Sequence, residues 1–168
     1  MLRGTLAARP TLLASRTTST GAIANTEAVV ISATIPAGTL QAGDTFQIIA
    51  GGVHTNDTLS AVGTYQIRIG PTTLTGAIAA AGTLAYGAAP RTNVEFVLTA
   101  SVTIRSTGAS GTAIGALGTT FIVAANTNGA VTSAVTVDTT VANLIELTYS
   151  SGNAGSSETY TTASISKA

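Results

Sequence analysis

Asn93-Val94-Glu95-Phe96-Val97-Leu98-Thr99-Ala100-Ser101-Val102-Thr103-Ile104-Arg105 is the stretch on which the fold turns. Val94, Phe96, Leu98, Ala100, Val102 and Ile104 fall on one face of an extended chain. Asn93, Glu95, Val97, Thr99, Ser101, Thr103 and Arg105 fall on the other, because successive side chains of a strand point to opposite sides. A strand with one buried face follows, and it is long for its kind.

The same alternation recurs on either side. Toward the amino end, Val29, Ile31, Ala33 and Ile35 form an apolar row that Pro36 ends. After the turn chemistry of Pro36-Ala37-Gly38 and Ala42-Gly43-Asp44, Phe46, Ile48 and Ala50 alternate with Thr45, Gln47 and Ile49. Gly51-Gly52 and the polar run His54 to Thr58 read as a loop, and Tyr65, Ile67 and Ile69 as the next strand, closed by Gly70-Pro71. Leu74 to Ile78 reads as a weaker strand and Ala79 to Pro90 as a long Ala/Gly connection. Toward the carboxyl end, Ser106 to Gly111 is a turn. Strands are expected at about Ala113 to Leu117, Thr119 to Ala124, Ala134 to Val137, Leu144 to Tyr149 and Thr159 to Ser166.

No segment holds an amphipathic helical pattern for three turns. Eight or more short strands separated by turn residues predict an all-β, antiparallel β-sandwich, since a single sheet would leave one apolar face in water. A jelly-roll-like arrangement is favoured over an immunoglobulin-like one. The expected organisation is an extended N-terminal arm over residues 1–26 and a sandwich domain over 27–168.

Composition narrows the function. Only 8% of the 168 residues are charged, with no net charge, against about 25% charged residues in an average soluble protein. Thr, Ser, Gly and Ala take their place. A neutral, charge-poor surface promotes association, so association is the expected working state. Nucleic acid is not an expected partner, since phosphate binding depends on clustered Lys and Arg. The absence of Cys excludes a disulfide-stapled domain. No run approaches the roughly 18 apolar residues that span a bilayer, so no membrane partner is expected and the chain reads as soluble.

The arm has its own chemistry. Arg3, Arg9 and Arg16 lie in the first 26 residues with no acid, so this segment carries +3 and the remainder −3. An Arg-bearing, Ser/Thr-rich, acid-free start also resembles an organelle transit peptide, a reading set below that of a structural arm. Its expected anchor is a neighbouring subunit, with Leu2, Leu6, Leu12 and Leu13 supplying apolar contacts. The alternative is an arm folded back on its own domain.

Particular phrases in the body carry a resemblance. Thr34-Ile35-Pro36-Ala37-Gly38-Thr39-Leu40-Gln41-Ala42-Gly43-Asp44-Thr45-Phe46 is similar to a segment of tailed-bacteriophage virion proteins of jelly-roll type. Ala100 to Gly108 and Thr136 to Val141, leading to Leu144 through Thr148, resemble them too, in the same order along the chain. The resemblance implies a structural part of a phage particle: a capsid decoration (cement) protein, a head fibre or a tail-fibre module. It implies residence in the virion, major capsid protein or other virion proteins as partners, a homotrimer, and no catalytic residues. The first 26 residues lie outside it.

No catalytic, cofactor or metal site is expected from the residues. General acid-base chemistry draws on His or paired carboxylates, and the chain has one His and seven acids. His54 with Asp57 has the residue types of a cation site, but a solvated loop is the preferred reading. Ser110 in Gly108-Ala109-Ser110-Gly111 lacks the spacing of a nucleophile elbow and reads as a turn. Asn56-Asp57-Thr58 matches a glycosylation pattern by chance. Asp44 and Asp138 read as turn caps rather than calcium ligands. The tyrosines Tyr65, Tyr86, Tyr149 and Tyr160 are spread along the chain rather than clustered as a sugar platform, so they are expected in the core or an interface. That weakens the alternative of a fibre module binding a host glycan. A hydrolase centred on His54 fits least.

Overall fold

The computed structural model of the chain describes residues 9–57, 62–85, 90–121, 127–131 and 133–168, and among them there are eleven strands and no helix. In chain order these are β1 (Thr11–Arg16), β2 (Ala28–Ile35), β3 (Thr45–Asn56), β4 (Val62–Gly70), β5 (Ala77–Ala85) and β6 (Arg91–Ser106). They continue with β7 (Gly111–Phe121), β8 (Thr127–Val131), β9 (Val135–Val137), β10 (Asn143–Ser151) and β11 (Ser156–Lys167).

The strands form two sheets, every pair antiparallel. The larger runs β1-β11-β3-β6-β7-β8, with β9 also paired to β7, and the smaller runs β2-β10-β4-β5. β10 and β11 enter the two sheets between strands from the first half of the chain, so the sandwich closes only when its carboxyl end arrives.

The alternating rows define the inner faces. Phe46 and Ile48 of β3, Phe96, Leu98, Val102 and Ile104 of β6, and Ile165 of β11 meet Ile67 and Ile69 of β4 and Ile145 and Leu147 of β10, all fully buried. Each such side chain contributes about 1.5–3 kcal/mol by leaving water. Three tyrosines belong to this core. Tyr65 and Tyr149 of the smaller sheet lie 5.2 Å apart by ring centroids, and Tyr149 reaches across to Tyr160 of the larger at 6.2 Å. Tyr86 lies outside the described residues.

Several boundaries differ from those expected. Gly51-Gly52 and His54 to Asn56 are not a loop: they continue β3, paired on both sides with β11 and β6. A Cβ on Gly52 would collide with the Thr159 carbonyl, so glycine is there because the bulged β11 backbone presses against it, not because the chain turns. The Ala/Gly stretch from Ala77 to Ala85 is likewise a strand, while Pro71 to Gly76 turns, where a weak strand from Leu74 was expected. A Cβ on Gly115 of β7 would meet the Ala79 oxygen at 2.5 Å and the Ala80 Cβ at 2.9 Å. The small residues of β5 therefore let the two sheets approach closely. The two strands expected between Ala113 and Ala124 are a single β7, with residues 122–124 outside the described set. β8 was not anticipated.

The arm also differs. Thr11 to Arg16 pairs with β11 of its own chain, and Thr20 and Ile23 hold to Tyr160 and Glu158 through backbone hydrogen bonds of 2.8–3.0 Å. Arg16 Nε donates to the Val30 carbonyl at 2.7 Å, tying the edge of one sheet to the edge of the other. This stretch finds its anchor in its own sandwich because β11 would otherwise expose a row of unpaired backbone groups. Residues 1–8 lie outside the described set.

Candidate functional surfaces

Three regions carry chemistry beyond simple packing: a polar cluster between the sheets and the two outer faces.

Between the sheets, Glu158 of β11 accepts hydrogen bonds from the hydroxyls of Tyr65 on β4 and, at 2.6 Å, of Tyr160. His54 Nδ1 of β3 lies 3.6 Å from the same carboxylate, and both side chains are at most 1% exposed. Burial pushes the imidazole down to about 4, and the nearby Arg91 charge acts the same way against the hydrogen bond the ring donates to Asn56, so His54 is neutral near pH 7. A desolvated carboxylate is tolerable only when its oxygens are hydrogen-bonded, and the two phenols do this from opposite sheets. The cluster ties the layers together. His54, Glu158, Tyr65 and Tyr160 are each at most 1% exposed.

The pairing of His54 with Asp57 does not form: His54 turns toward Glu158, while the Asp57 backbone N–H bonds Gly155 O at 3.1 Å. Asn56 is buried, and Thr58, the last residue of the glycosylation pattern, lies outside the described residues. Ser110 is an exposed turn residue. Asp44 accepts the Gln41 N–H at 2.9 Å and pairs with Lys167 at 2.7 Å. Asp138 accepts the N–H and hydroxyl of Thr140 at 2.9 and 2.6 Å, which hold its carboxyl below the ordinary range. No group of three or more His, Asp or Glu is arranged to hold a metal ion among the described residues.

The outer face of the smaller sheet is charged but closed. Arg68 of β4 holds Glu27 in a fork at 2.8 and 3.0 Å and bonds the Gly76 carbonyl at 3.1 Å. Thr148 of β10 donates to Glu27 at 2.6 Å. These bonds, that of Arg68 first, hold the Glu27 carboxyl below its ordinary value against partial burial. Glu146, cross-strand partner of Arg68, is 2% exposed. It is covered by the Pro71–Gly76 turn, whose Leu74 N–H it accepts at 3.0 Å. Leu74 takes the left-handed conformation, φ 60°, to aim that N–H.

The outer face of the larger sheet is the opposite. Registers place Ser164, Ile49, Thr99 and Gly118 in one cross-strand row and Ser166, Gln47, Ser101 and Ala116 in the next. Thr45 and Thr103 follow, their hydroxyls 3.0 Å apart. Ile49 is 51% and Val97 40% exposed, and a shallow depression runs between the strands past Thr99 and Ala116. Among the described residues, no charged side chain lies on this face between Glu95 at one end of β6 and Arg105 at the other. At its edge, β1 exposes Leu12 and Leu13.

The three phrases singled out in the sequence, Thr34 to Phe46, Ala100 to Gly108 and Thr136 to Thr148, meet at one end of the sandwich. Gly43 N–H bonds Ile104 O at 2.8 Å and Ile104 N–H bonds Asp44 O at 2.9 Å. Gly38 N–H bonds Thr139 O at 3.2 Å, and Gly108 N–H bonds Thr139 Oγ1 at 2.7 Å. They form one structural unit, a cap of interlocked turns. Set against known proteins, the chain matches no family model, no curated protein and no solved structure.

Proposed function

We propose that the chain is a structural component of a bacteriophage particle, a capsid decoration (cement) protein that stabilises the shell through protein-protein contacts and carries out no catalysis. The observation that carries this reading is the uncharged outer face of the larger sheet. A Thr/Ser/Ala face with scattered aliphatic groups loses little when it is desolvated against another protein, and no segment of the chain covers it among the described residues. A member of a repeating array needs at least two contact surfaces, and the exposed leucines of β1 supply a second. Many modest contacts repeated over a shell add up to a large effect. The jelly-roll type of the similar virion proteins agrees with a sandwich whose resembling phrases are neighbours in space. The aromatic core placement of Tyr65, Tyr149 and Tyr160 withholds those rings from sugars, so the glycan-binding reading is not preferred.

The test mixes purified chain with empty phage shells and measures co-sedimentation for the native sequence and for a Leu12→Ser, Leu13→Ser variant. Saturable binding that weakens about tenfold or more in the variant supports the reading, since two exposed leucines contribute at this scale when buried. Absence from shells with binding to host glycans would assign the chain to a fibre instead.

A further inference from the structure

The charge-free face has a feature that singles out its occupant. Its central strand, β6, is bracketed by charges of opposite sign: Glu95 near the start and Arg105 near the end, both exposed on the outer side. Ten residues of strand separate them by about 33 Å. Neither makes an ion pair within the chain among the described residues.

An isologous contact sets a patch against itself, so any charge near its middle meets its own like. This face has none there. When two copies stack face to face with their β6 strands antiparallel, the axis passes beside Ala100 and position 95 of one copy lies opposite position 105 of the other. Each Glu95 then meets an Arg105, twice per pair. Parallel stacking would place Glu95 on Glu95 and is disfavoured by the same charges. We infer that the outer face of the larger sheet is a self-association surface, which pairs two copies of this chain about a two-fold axis with Glu95 of each set against Arg105 of the other.

Sheets stack about 10 Å apart with strands within about 30° of alignment, a spacing that short Thr, Ser and Ala side chains permit. Ile49 and Val97 leave water in the contact, Val97 lying over the Thr103 region of the second copy. The arrangement differs from the three-fold association implied by the resemblance to virion proteins. It rests on the proposed function only in giving the pairing a role, and it leaves β1 free to meet the shell.

The experiment is sedimentation velocity on the full chain at several concentrations and two salt levels, with the variants Glu95→Arg, Arg105→Glu and the double exchange. A dimer is expected, weakened about tenfold or more by either single change, which sets like charges together, and restored to within about threefold by the double exchange. Both substituted positions are exposed, and coincident urea unfolding of the four proteins shows that each is folded. A native mass of one or three chains at every concentration overturns the inference, as does a dimer indifferent to the single changes. Shell binding is scored separately. A charge-dependent dimer that ignores shells removes only the virion reading, and a shell-binding monomer removes only this one.

Discussion

The two outer faces of the sandwich solve the problem of a solvent-facing sheet in opposite ways. The smaller sheet places Glu27, Arg68 and Glu146 on its outside and then covers them with a turn and a fork of hydrogen bonds from its own chain. The larger sheet carries no charge across its central rows and is covered by nothing among the described residues. A face that satisfies itself is built for stability, whereas one left bare and neutral is available to a partner. The difference teaches that, in a chain with so few charges, where they cluster says more than their number.

The largest expected effect breaks the self-satisfied face. Arg68→Met removes the cation that Glu27 grips and leaves that carboxylate beside the buried Glu146 with no positive partner. Breaking a buried pair from one side costs about 3–5 kcal/mol. Because Glu27 is 29% and Arg68 13% exposed, solvent screening brings the expected loss to about 2–3 kcal/mol. Urea unfolding measures it. A loss below about 0.5 kcal/mol, the ordinary scale of a surface change, would mean that the fork is ornamental and the two faces energetically alike.

Acid sharpens the comparison next, because the neutral face has nothing on its central rows to titrate. His54 is held at about 4 in the folded chain against about 6.5 when unfolded. Its contribution is therefore fully present above pH 6.5 and is lost as pH falls toward and through 4, the unfolded chain taking up the proton first. Between pH 7 and pH 4.5 the expected loss is about 2 kcal/mol. Glu27, whose carboxyl is held low, has the same sign and adds its loss at the acid end of that window. Urea midpoints across pH 7 to 4.5 check this. In His54→Gln the part of the slope between pH 6.5 and 4.5 should flatten, and a slope unchanged by that substitution would place the acid sensitivity elsewhere.

Legibility in the sequence follows the same physics. β6 could be read residue by residue because one face meets the core and the other meets water, which writes a period of two into the sequence. β5 could not: Ala79 and Ala80 are small because Gly115 comes so close, and a run of Ala and Gly chosen for sheet approach is indistinguishable from a connection. The end of β3 was hidden for another reason. Polar residues on an inner face mimic a loop, and His54 and Asn56 point inward beside Glu158, about a hundred residues away in sequence. β1 lacks alternation because an edge strand buries neither face fully. The neutral face was implied by the 8% charge, but which strands compose it depends on the pairing of β11 beside β3, a long-range register that no local phrase encodes.

The smallest expected change in stability is on the bare face itself. Thr99→Ala and Ile49→Thr alter cross-strand neighbours on the outer face, where Ile49 is half exposed and Thr99 has only Gly118 on its other side. Each should shift urea stability by no more than about 0.5 kcal/mol at a concentration where the chain is monomeric. An effect should emerge as concentration rises: if the face is an interface, the native chain gains stability by mass action, and Ile49→Thr gains less. Unfolding curves measured over a hundredfold range of concentration separate the cases. Parallel curves for native and variant would leave the neutral face without a partner of its own kind. A widening gap would show that a sheet face costing nothing to the monomer was kept uncharged for the assembly.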